Sequence, residues 1–276
     1  MTDVLRVAFV GRAGEVGHAV PAAPVDGLQP LFVEQRAGAS PARLLAHVAE
    51  HAPHVVVVFG VDSIPATLAR AFDVPVLAWT AAPDRPPGLE HHPELSAAFV
   101  PERAGPADYV TVIDRPLPVA DEHFAAPRRP PGPPRALVIG HSSPRSELLL
   151  IDSKHRHELL HIASGLRGDP LAAMLASAVV AINARDDDAP GFGPRVALYL
   201  AAGLLLVTEP LHPPHGLRPG IDHIEIRSSD ELLELLGRVR ANPDDFTAIR
   251  EAGRRQAEAF RASRVYRQVL APFVTT

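Results

Sequence analysis

Val55-Val56-Val57-Val58-Phe59 contains no polar side chain. A strand on the surface of a sheet alternates apolar and polar residues, so a run without alternation implies a strand covered on both faces, as in a parallel sheet between two layers of helices. Comparable runs occur at Val4 to Val10, Leu31 to Val33 and Val74 to Trp79. A helical segment from Pro41 to His51, with Leu44, Leu45 and Val48 inward, separates the second run from the third. Strand, helix, strand at this spacing means parallel pairing. Another apolar run, Tyr109 to Ile113, closes the first half.

The stretch Pro127-Arg128-Arg129-Pro130-Pro131-Gly132-Pro133-Pro134 lacks the backbone donors for a helix or a central strand, and reads as a semi-rigid linker. After it the pattern restarts: strand Ala136 to Gly140, helix Pro170 to Ser177, strand Val179 to Asn183. Then comes Phe192 to Gly203. Pro194 suits the first position of a helix and Gly203 the left-handed residue past its end, so 194 to 202 reads as a short helix. It is apolar on nearly every side, which argues burial, and Leu204 to Val207 follows as a buried strand. Ser228 with Glu231 forms a capping box, Asn242-Pro243 opens another helix with Phe246, Ile249, Ala257 and Phe260 on its apolar face, and a last helix covers about Arg264 to Leu270. The expected class is α/β, with domains at 1–126 and 135–262 leaving a cleft at their strand ends.

Composition narrows the function. With 46% hydrophobic and 21% charged residues the chain is globular, and a net charge of −5 gives no general attraction to nucleic acid or anionic membrane. The absence of Cys removes disulfides, thiolate ligands and a Cys nucleophile. No stretch approaches membrane-span length, and Met1-Thr2-Asp3 leads into an apolar run too short for a signal peptide. A cytoplasmic protein is expected.

Several motifs carry chemistry. Gly11-Arg12-Ala13-Gly14-Glu15-Val16-Gly17, with Glu34 closing the next strand, imitates a dinucleotide fingerprint. Pro21, Pro24, Gly27 and Pro30 leave no room for its helix, so a Gly-rich turn is expected, with His18 and Arg12 able to face a substrate. His157-Glu158-Leu159-Leu160-His161 matches H-E-x-x-H, which on a helix places two imidazoles one turn apart for zinc. Gly165 cuts that helix short, and a solvated helix is the alternative. Asp186-Asp187-Asp188 could hold a metal for a nucleoside diphosphate or form a solvated loop, and His212-Pro213-Pro214-His215 could present a His to the cleft or lie on the surface. Ser142-Ser143-Pro144-Arg145 follows a strand and suits a phosphate clamp, as do the helix start at Gly193 and Arg195.

Taken in order, Asn183, Gly191-Phe192-Gly193-Pro194-Arg195-Val196, Ala201-Ala202-Gly203, Leu205-Leu206-Val207-Thr208-Glu209-Pro210, Leu217-Arg218-Pro219-Gly220, Asn242-Pro243-Asp244 and Ile249-Arg250-Glu251-Ala252-Gly253-Arg254-Arg255 resemble the C-terminal half of GT-B glycosyltransferases, particularly the CgeB-like group. The resemblance covers about residues 135 to 270. It implies two Rossmann-like domains facing each other in compact form, with 263–276 crossing back to the first. The second domain would bind a nucleoside diphosphate sugar through Ser142, Arg145, Asn183, Gly193, Arg195, Thr208 and Glu209. The first would bind a small-molecule or glycan acceptor near Arg12, with His18 as base if the reaction inverts configuration. Neither nucleic acid nor a metal is implied, since helix N–H groups and cations can stabilise the leaving diphosphate. Leu198 stands where many members carry an acidic residue. Glu209 substituting for it, a different donor, or a non-catalytic nucleotide-sugar or glycan-binding protein remain alternatives, and a zinc hydrolase built on His157 and His161 is another.

Overall fold

The computed structural model describes residues 4–35, 40–60, 69–80, 93–101, 110–157, 159–163, 166–185 and 191–274. The chain forms two compact units, Met1–Glu122 with Ala259–Thr276, and His123–Glu258.

The first unit holds β1 (Leu5–Gly11), β2 (Leu28–Glu34), β3 (Val55–Phe59), β4 (Val76–Trp79), β5 (Ala97–Val100) and β6 (Thr111–Asp114). They form one sheet in the order β2-β1-β3-β4-β5-β6, parallel throughout. Successive side chains point to opposite faces, and both faces are buried. Val7, Phe9, Val57, Trp79 and Phe99 lie in one core cluster; Ala8, Val10, Val56, Val58 and Ala98 lie in another with Leu44 and Val48 of α2 (Pro41–Glu50). The Gly-rich turn carries only the four-residue α1 (Ala13–Val16) and a 3-10 turn, Gly17–Ala19. β5 is a strand that the apolar pattern does not signal, because Ala97-Ala98 has little β propensity.

The chain leaves this unit after Glu122 and rejoins it at Ala259. Its last helix, Ala262–Leu270, packs there: Tyr266 meets Phe9 at 4.7 Å and Trp79 at 5.5 Å between ring centroids, and its hydroxyl donates to Ala19 O at 2.9 Å. Asp121 caps the helix start, accepting from Ser263 N (3.0 Å), Ser263 Oγ (2.7 Å) and Arg261 Nη1 (3.2 Å).

The second unit holds β7 (Ala136–Ile139), β8 (Leu159–Ile162), β9 (Val180–Asn183), β10 (Leu205–Thr208) and β11 (Ile224–Glu225), parallel, in the order β11-β10-β9-β7-β8. α3 (Pro144–Arg156) follows β7, α4 (Gly168–Ala176) precedes β9, and α5 (Val196–Ala201) precedes β10. α6 (Ser229–Ala241) and α7 (Thr247–Gln256) complete it. Leu149 and Leu150 of α3 and Leu232, Leu235, Leu236 and Val239 of α6 cover one sheet face, while α5 and α7 pack together and against β10.

Three readings change. The Pro-rich stretch falls inside the second unit: a Cβ on Gly203, at φ +73°, would strike the Pro127 backbone, and Arg250 Nη2 donates to Arg128 O at 2.7 Å. The central helix starts at Val196, two residues later than Pro194 suggests, with Arg195 as its cap. His157 and His161 do not share a helix. α3 ends at Arg156, His157 is extended, and Leu159–Ile162 pairs with β7 as a strand. β7 needs a neighbour on that side, and this pairing overrides the helical reading.

Candidate functional site

In the second sheet the chain turns one way from β7 to β8 and the other way from β9 to β10 and β11. Sheets of this order bind ligands at the carboxyl ends of the two strands where the direction switches, here β7 and β9. The strands are paired only through Ala136 and Leu137. Beyond, the Tyr199 hydroxyl occupies the opening, accepting from Ile139 N at 3.0 Å and lying 3.4 Å from Ile139 O. Burial pushes this phenol up to about 12, with the nearby Arg195 charge opposing, so it stays a neutral donor and acceptor.

Three loops converge beside this opening. Arg145 comes from the first turn of α3, which Ser143 and Ser146 cap reciprocally. Arg185 follows β9 and Glu209 follows β10. Arg145 grips Glu209 with both terminal nitrogens, at 2.9 and 2.6 Å, while Arg185 donates from its backbone N (3.0 Å) and Nη2 (3.3 Å). Glu209 is 7% exposed. Burial raises its carboxyl pKa, but the hydrogen bonds from Arg145 and Arg185 outweigh burial and hold it below the usual range. Asn183 Nδ2 donates to Thr208 Oγ1 at 3.0 Å, and Thr208 Oγ1 to Glu209 O at 2.8 Å. Gly193 lies so close to Asn183 that a Cβ would collide with its side-chain oxygen.

A second network fastens the β7–α3 loop. Ser142 Oγ donates to Glu147, Lys154 Nζ donates to both Glu147 oxygens (2.6 and 2.8 Å), and His161 Nε2 donates to Gly140 O (3.0 Å). The bonds from Lys154, then Ser142, lower the Glu147 pKa.

Ser142, Arg145, Asn183, Gly193, Thr208 and Glu209 thus gather at one sheet edge. Arg195 is half-buried at the α5 start, within electrostatic reach of Tyr199, and has no ion pair among the described residues. Leu198 is 1% exposed and belongs to the packing. His215 stands edge-on to Phe192 at 4.8 Å, beside Gly193 in the chain. In the first unit, His18 is 6% exposed, not displayed on an open turn, and Arg12 is exposed and ion-paired with Glu15 at 3.3 Å. Asp186 to Asp188 and Glu158 lie outside the described residues.

Zinc binding at His157 and His161 does not fit: one ends a helix and the other lies in a strand, so the one-turn spacing is lost. Among the described residues no three His, Asp or Glu side chains gather as metal ligands do. No described helix is long and apolar enough to cross a membrane. Sequence reasoning passed over Arg185 and Tyr199. A cation directly after a parallel strand and the single hydroxyl in an apolar helix were the available signals.

No protein-family model matches the sequence, and no curated protein matches it. Solved structures do. A glycosyltransferase from Rickettsia africae ESF-5 superposes with a TM-score of 0.62 at 9% identity, over 99% of this chain and 98% of that one. Anabaena Alr3699/HepE in complex with UDP-glucose gives 0.59 at 10% identity, over 97% and 99%. The fold is GT-B. UDP-GlcNAc 2-epimerase from Neisseria meningitidis bound to UDP-GlcNAc, at 0.50 and 10% identity over 97% and 100%, is similar to this chain as well. The GT-B fold thus also occurs in an epimerase.

Proposed function

We propose that the protein is a glycosyltransferase that takes a sugar from a nucleoside diphosphate sugar, with the second unit as donor site. One observation carries the reading: Arg145, Arg185 and Arg195 stand around the β7–β9 switch point of a GT-B sheet, where open α/β folds bind ligands. Guanidinium groups held in place before binding stabilise the charge of a departing diphosphate without reorganisation, which is why the reading invokes no metal. Gly193 allows close approach of backbone to ligand. The acceptor side is assigned to the first unit at Arg12. His18 serves as base only in an inverting reaction, for which its ring must become accessible; a retaining reaction needs no such base.

The second reading is a nucleotide-sugar-binding protein without transfer activity. It is favoured by the buried Leu198 and by Glu209, whose carboxylate is committed to two arginines. Release of nucleoside diphosphate from UDP-, GDP-, ADP- and dTDP-sugars, with and without a glycan mixture as acceptor, separates the two. Turnover with one donor, reduced in Arg195→Ala with the fold intact, is the expected result. Loss of one charged hydrogen bond weakens donor binding by roughly 1.5 to 3 kcal/mol. Binding without turnover favours the second reading, and unchanged donor affinity in Arg195→Ala removes Arg195 from the site.

A further inference from the structure

A carboxylate between two guanidinium groups, 7% exposed, is not there to stabilise the fold efficiently, because desolvating three charges offsets most of their attraction. Its position suggests another use. Glu209 joins the three loops at the carboxyl ends of β7, β9 and β10, and places one negative charge directly beside Arg145 and Arg185.

The diphosphate of a nucleotide sugar is esterified at both ends and carries two negative charges. A free nucleoside diphosphate has a terminal phosphate whose second ionisation lies near pH 6, so at neutral pH it carries close to three. Each unit of positive potential at the site therefore favours the free diphosphate over the sugar conjugate. We propose that Glu209 is a specificity-determining residue that lowers the potential beside Arg145 and Arg185 and so keeps the spent nucleoside diphosphate from outcompeting the donor. This rests on the donor-site reading above.

The test is the ratio of two dissociation constants, sugar conjugate over free diphosphate. They are measured by calorimetry for UDP, GDP, ADP and dTDP, each with its glucose conjugate. In Glu209→Gln the ratio should rise roughly tenfold at low ionic strength, the effect of one charge a few ångströms from the ligand in a partly solvated site. Arg185→Gln, which keeps the Arg145–Glu209 pair, should move it the opposite way, and the double variant, with the wild-type net charge, should restore it. At pH 5, where the free diphosphate loses its third charge, the variants should converge. A purely structural role would weaken both ligands by the same factor and leave the ratio unchanged. If Glu209→Gln does not fold, Arg185→Gln and the double variant still decide the matter. An unmoved ratio in every folded variant overturns the proposal alone, whereas a wild-type protein that binds none of these ligands overturns the donor reading and this proposal with it.

Discussion

His223 shows what a single buried group does to the pH response. It is fully buried in the second unit; its Nε2 lies 3.7 Å from Glu225 Oε1, and among the described residues neither ring nitrogen has a partner within hydrogen-bond distance. Burial lowers its pKa, and the Glu225 and Asp222 carboxylates oppose that only in part. In the unfolded chain a histidine titrates near 6.5. Between that value and the lower folded one, the unfolded state binds more protons, so stability is full above about pH 6.5 and falls as pH drops through the window. The urea midpoint should decline from pH 7 to 5.5, and His223→Gln should flatten that decline. An identical slope in the variant would contradict the assignment. Glu209 and Glu147, with lowered carboxyl pKa, act in a separate window: their contribution is present above about pH 4.3 and is lost as pH falls through their folded values.

At the scale of elements, the C-terminal end of α5 is the joint of the second unit. Gly203 is left-handed at φ +73° and has no room for a Cβ, which would strike the Pro127 backbone, while its carbonyl accepts from the buried Arg250 Nε at 3.0 Å. Gly203→Ala combines a disfavoured backbone with a clash, and should cost about 2 kcal/mol or more in urea unfolding. An unchanged midpoint would mean the joint is soft. The same elements show what the sequence could reveal. Val55–Phe59 and Leu205–Thr208 are legible because their runs have no alternation and short apolar strands of this kind have few other places to go. Ala97–Val100 is not, because small side chains carry little pattern. Leu159–Ile162 is misread because His157 and His161 have helical spacing, and only the unfilled edge of β7 decides otherwise. In the site, loops after strands can be located from the strands themselves, as for Ser142 and Arg145, whereas Thr208 follows only from the resemblance to GT-B glycosyltransferases. The bond of Arg145 to Glu209 is 64 residues long in sequence and has no local trace.

At the scale of the whole molecule, both units are parallel sheets with helices, and donor binding is proposed for the second. The proposal stands on this unit binding a nucleoside diphosphate sugar. The most direct measurement is a calorimetric screen of the intact protein against UDP, GDP, ADP, dTDP and their glucose conjugates, repeated with EDTA. Saturable binding of one base, unaffected by EDTA and weakened in Arg145→Ala, is the expected result. No binding of any of them would contradict it.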